Sequence, residues 1–159
     1  MGIGKRKSET ADYSDLLIRL FDERGRGRRM TIHENDYVDQ AEQAIKKLSA
    51  KKDQKGRPVL PVTTSKIRNL LAMVSDIYND VRNVQGEVLS EELIGKINYM
   101  KIRFYYEAGR EAKVKDLLMT ANVFQIIDEI GGKKKNFLLF SRYMEALVAF
   151  RKYYGGKDE

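Results

Sequence analysis

Residues 63–81 read TTSKIRNLLAMVSDIYNDV, and within them Ile67, Leu70, Leu71, Val74, Ile77, Tyr78 and Val81 recur at intervals of three and four without a miss. That period is the signature of an amphipathic helix with one buried stripe. The spacing predicts a helix capped by Thr64 and ending near Val84, with Gly86 beyond it. Its first turn raises a question, because the residues beside the cap are Lys66 and Arg68. The helix dipole places partial positive charge at that end, so each cation there costs a few tenths of a kcal/mol up to about 1 kcal/mol.

The following helix is an internal control. It opens at Ser90 with Glu91 and Glu92 next, where the dipole favours acids, so this chain follows the rule elsewhere. Leu93, Ile97, Met100, Phe104 and Ala108 form its expected buried stripe, and Gly109 is expected to break it. Upstream, a helix is expected over about Asn35–Leu48, with Val38, Ala41, Ile45 and Leu48 on one face. Downstream, a helical region from Glu111 to Ile130 should bend near Thr120–Asn122 and end at Gly131–Gly132. A last helix, Asn136 to about Tyr154, is apolar almost all round and is placed centrally, with Gly155–Gly156 closing it. The architecture expected is all-α, an irregular bundle of about five helices with an N-terminal helical extension.

The chain's 159 residues suit one compact domain, expected over residues 30–159. Residues 1–29 form a basic extension containing GRGRR and a short amphipathic piece around Leu17, Leu20 and Phe21, and Met30 could itself serve as a translation start. Lysine and arginine number 30 against 23 acids, a net charge of +7 that suits a polyanionic partner. There is no cysteine, which excludes disulfides, iron–sulfur clusters and thiolate zinc sites. His33 is the single histidine, and nothing beside it builds a nucleophilic triad. No apolar run exceeds five residues, so no membrane partner is expected, and the N-terminus has no secretory core, giving a cytoplasmic expectation.

Catalysis is disfavoured by elimination. The nearest carboxylate groupings, Asp128–Glu129 and Asp36 with Asp39, read as solvated helix-face charges rather than a two-metal centre, and no phosphate-cradling glycine loop or nucleophile elbow is present. No cofactor is expected. Binding is better supported. A helix start with a cap hydroxyl at Thr64 and long cations at Lys66 and Arg68 suits a phosphate, since amides donate and the dipole attracts. Lys66 and Arg68 fall on opposite shoulders of the apolar stripe; the bland reading is a tolerated pair of surface cations. The preceding loop, KKDQKGRPVLP, adds Lys51, Lys52, Lys55 and Arg57. A second pattern, Tyr99, Arg103, Tyr106 and Arg110, stacks on one helix face, as an interface or a nucleic-acid backbone contact, or under a second apolar layer. The run Lys133–Lys135 reads as a solvated loop that contributes field.

TTSKIRNLL, RFYYEAGR from Arg103 to Arg110, and RYMEALVAFRKYYGGKD from Arg142 to Asp158 together resemble the Csm small-subunit family of type III-A CRISPR effector complexes, over roughly Met30–Asp158. The resemblance implies a non-catalytic helical subunit, stacked in several copies along the crRNA–target RNA duplex. Its implied partners are the duplex backbone, chiefly the target strand, the crRNA-carrying backbone subunit, the large polymerase-like subunit and further copies of itself. It implies phosphate contact without sequence readout, because base pairing supplies specificity. Arg68, Arg110 and Arg142 sit in the matching motifs, while Lys66, Lys51, Lys52 and Arg57 rest on the local argument. A protein-only scaffold and a stand-alone DNA-binding protein are the rival readings.

Overall fold

A computed structural model describes residues 30–155. Among them are six helices: α1 (Tyr37–Ser49), α2 (Thr64–Val81), α3 (Glu91–Arg110), α4 (Ala112–Thr120), α5 (Val123–Glu129) and α6 (Lys134–Tyr153). The expectations for residues 1–29 and for Gly156 lie outside the described residues.

The periodic stripe of α2 is the spine of the core. Ile67, Leu70, Val74, Ile77 and Val81 are all buried, and Leu71 and Tyr78 pack at its margin. They meet α6, which packs chiefly against α2 and α1. Phe137, Phe140, Met144 and Leu147 of α6 have no exposed surface, and Leu139 and Tyr143 are nearly as deep. Each large side chain buried in this way contributes roughly 1.5–3 kcal/mol through the hydrophobic effect. The central place expected for this helix is correct, with one refinement. Arg142, Glu145, Ala149 and Lys152, spaced by three and four, keep a single stripe in solvent.

Three local expectations are corrected, and the bend expected near Thr120–Asn122 is found. The cap of α2 is Thr63, in extended backbone with its hydroxyl accepting from Lys66 N–H, and Thr64 is the first helical residue. On α1, Val38 faces solvent at 45% exposure and Ala44 takes its place in the core. Gly109 does not break α3; the helix runs through it to Arg110 and stops where Glu111 adopts extended backbone. The region after it is two helices, and Asn122 makes the bend by entering the left-handed region at φ 55. Asparagine tolerates that conformation better than most residues. Gly131 and Gly132 then turn the chain with positive φ, as expected.

α2 and α3 form an antiparallel hairpin. The start of α2 lies beside the end of α3, where Lys66 Nζ is 3.1 Å from Glu111 Oε2, while Lys96 Nζ is 2.9 Å from Asp80 Oδ2 at the other end. The loop at that second end is held to the α5–α6 loop by backbone bonds, Leu89 N–H to Gly132 O and Lys134 N–H to Glu87 O, both 2.8 Å.

Candidate nucleic-acid interface

The start of α2 is buried on its inner side and charged on its outer side. Val62 and Thr64 have no exposed surface, and the Thr64 hydroxyl has no hydrogen-bond partner. A buried hydroxyl cannot meet RNA, which takes Thr64 out of the expected contact set. The capping bond belongs to Thr63, and no acid stands in the first turn.

What fixes this helix start is a residue that the spacing of charges did not single out. Arg151, in the last turn of α6, is 6% exposed, and its Nε donates to the Val62 carbonyl at 2.7 Å. Val62 precedes the cap, so its carbonyl lies outside the α2 ladder and needs a partner. Burial pushes the guanidinium pKa down, while the C-terminal dipole of α6 favours a cation there. The charge sits at the positive end of α2, adding to the potential of Lys66 and Arg68 instead of compensating it.

Around this point the outer cations gather. Lys66 is half-exposed beside Glu111, and Arg68 is exposed. Arg110 at the end of α3 pairs with Glu107 at 3.3 Å and lies over the Tyr106 ring at 5.7 Å. Lys51, in the basic loop, is 3.5 Å from Asp116 of α4. The geometry thus brings Lys66 and Arg110 to one end of the hairpin. Arg57 is spent mainly on its own loop. Asp53 accepts from the backbone N–H of Lys55 and Arg57 and from Arg57 Nε, and the Arg57 amide leads the effects that lower the Asp53 pKa. Lys52 is exposed in the same loop, across a single antiparallel bridge from Pro58.

Arg103 lies further along α3, exposed on an open groove of about 460 Å³ between α2 and α3, with Met73, Asp76, Tyr99 and Met100. Tyr99 and Tyr106 are about 60% exposed, so among the described residues no second apolar layer covers the stripe. The exposed face is wider than its spacing indicated, because Ile102 and Tyr105 belong to it. Tyr105 stacks on Phe124 of α5 at 3.9 Å between ring centroids, a partner that periodicity within α3 has no means of naming. Arg142 is elsewhere. Nine residues separate it from Arg151, a rotation of about 180° around α6, and it pairs with Glu34 ahead of α1 at 3.1 Å.

The carboxylates set aside as solvated charges are dispersed. Asp128 pairs with Lys101, Glu129 accepts from the Thr31 amide and hydroxyl, and Asp36 accepts from the His33 amide and faces its ring. Among the described residues no group of acids and histidine is arranged to hold a metal ion, and no helix is long and apolar enough to cross a membrane. Lys134 departs from the solvated reading, since its ammonium donates to the Val84 carbonyl at 2.7 Å. The residues of this region that spacing did not single out are Glu111, Asp116 and Arg151, each defined by a contact across a long stretch of chain.

Comparison with known proteins adds a family match. Residues 39–157 match the family model described as Csm2 Type III-A. The chain is 44% identical over 127 residues to the CRISPR system Cms protein Csm2 of Streptococcus thermophilus, covering 80% of this chain and 98% of that one. It is 34% identical over 130 residues to the protein of the same name from Mycobacterium tuberculosis, covering 82% and 100%. A third relative so named, from Enterococcus italicus, is 38% identical over 109 residues, covering 65% and 78%.

Proposed function

The chain belongs to the Csm2 family of type III-A CRISPR systems, and from that premise we propose that it is the non-catalytic small subunit of the RNA-guided complex, stacked in several copies along the crRNA–target RNA duplex. It holds the phosphate backbone, chiefly of the target strand, through the end of the hairpin where α2 starts and α3 ends, and it reads no bases. The observation that carries this reading is the start of α2, which has no acid of its own. Lys66 and Arg68 flank it, and Arg151 adds a buried cation behind it. Phosphate supplies the negative charge that such a helix start favours. Arg110 extends the same end, Arg103 continues it along α3, and Lys51 adds a cation beside α4. Arg142, on the far side of α6, serves a second contact.

The test is target binding by complexes assembled with Arg68→Ala or Arg110→Ala, against RNA matched to the guide and across a range of salt. Each variant is expected to weaken binding and to lower the slope of log affinity against log salt by up to about 1, as loss of one phosphate contact requires. Unchanged affinity and slope in both variants refute the phosphate assignment. The exposed Tyr99, Ile102 and Tyr106 favour a second reading, in which the chain bridges neighbouring subunits and touches no RNA. Crosslinking of uniformly labelled target RNA separates the two, since crosslinks confined to other subunits support the scaffold.

A further inference from the structure

We infer that Glu111 and Asp116 set the affinity of the RNA face by occupying its cations until phosphate displaces them; this rests on the phosphate-binding role proposed above. Helix starts commonly take a carboxylate from their own first turn, and α2 has none there. It takes one instead from the α3–α4 junction, where Glu111 Oε2 stands 3.1 Å from Lys66 Nζ. One turn and a half further on, Asp116 Oδ1 lies 3.5 Å from Lys51 Nζ. Glu111 precedes α4 without a side-chain capping bond, and both ion pairs are partly open to water.

Two carboxylates therefore stand against Lys66 and Lys51, which the proposed reading gives to phosphate. Binding a phosphate at Lys66 or Lys51 exchanges one anion for another and leaves a displaced carboxylate close to the backbone. Both effects subtract from affinity. A single subunit is thereby kept a weak binder, and firm grip comes from several subunits engaging one continuous backbone.

The experiment uses the assembled complex with Glu111→Gln, Asp116→Asn and the double variant, and measures binding of guide-matched target RNA beside Arg68→Ala and Lys66→Ala. Because pairs this exposed are individually modest, each neutralisation is expected to tighten binding about twofold to fivefold, and the double variant more. A merely structural role predicts the reverse, since damage to the fold does not improve binding. Thermal melting of each variant, expected within a few degrees of the natural protein, confirms an intact fold. If Arg68→Ala or Lys66→Ala weakens binding while the neutralised variants leave it unchanged or weaker, this inference is overturned and the phosphate role stands. If none of the variants alters binding, the phosphate role falls and this inference with it.

Discussion

The starts of α2 and α3 use the same device and opposite charges. Thr63 and Ser90 both sit in extended backbone with the hydroxyl accepting the amide three residues on, at 3.3 and 3.2 Å. After Ser90 come Glu91 and Glu92, in solvent and favoured by the dipole; after Thr63 come a buried Thr64, a Ser and a Lys. The comparison separates capping from compensation. Capping satisfies amides and is local, whereas the charge at a helix start is free to be assigned elsewhere. At α3 the helix supplies it, and at α2 a remote carboxylate and a proposed phosphate share it.

The comparison is broken most severely by Arg151→Ala, which orphans the buried Val62 carbonyl and leaves a cavity at the start of α2 alone. We expect a loss of about 2–4 kcal/mol in denaturant unfolding. An effect below 0.5 kcal/mol means that Arg151 does not hold this helix start. Next is Thr64→Val, which removes an unpaired buried hydroxyl without changing shape, and should stabilise the chain by about 1 kcal/mol. Destabilisation there points to an unseen partner for the hydroxyl. Thr63→Ala and Ser90→Ala test whether the two caps are equivalent, and each should cost about 1 kcal/mol. The smallest change in stability, and the sharpest for function, comes from Ser65→Glu, which gives α2 the acid that α3 already has. It should stabilise the chain by about 0.3–1 kcal/mol while weakening target RNA binding; tighter binding would contradict a phosphate at this site.

What the sequence discloses follows from how local the cause is. The buried stripe of α2, the acidic start of α3, the bend at Asn122 and the double-glycine turn all depend on neighbours within a few residues, and all are legible. Thr63 and Thr64 are both competent caps by type. Which of them caps is decided by the burial of Thr64 and by a guanidinium that holds Val62 from 89 positions away in sequence. Val38 and Ala44 exchange places for a similar reason, because α1 turns toward α6 through a face that apolarity alone does not select. Gly109 has a breaker's composition, yet the helix continues until the next element demands extended backbone at Glu111. The candidate interface was legible as a collection of cations and illegible as an arrangement. Lys66 with Glu111, Lys51 with Asp116 and Arg142 with Glu34 are each joined by the fold and not by spacing.

Each end of the α2–α3 hairpin carries an exposed ion pair, Lys66–Glu111 and Lys96–Asp80, but the loop end has backbone bonds besides. At the loop end, the amides of Leu89 and Lys134 are bonded to the carbonyls of Gly132 and Glu87, a backbone weld that dissolved ions leave alone. At the open end the exposed clasp between Lys66 and Glu111 is electrostatic and yields to ionic strength. Salt therefore loosens the Lys66–Glu111 clasp, while the buried bond from Arg151 to the Val62 carbonyl keeps the start of α2 in place. Amide exchange near residues 107–112 should quicken as salt rises, while Leu89 and Lys134 keep their pace.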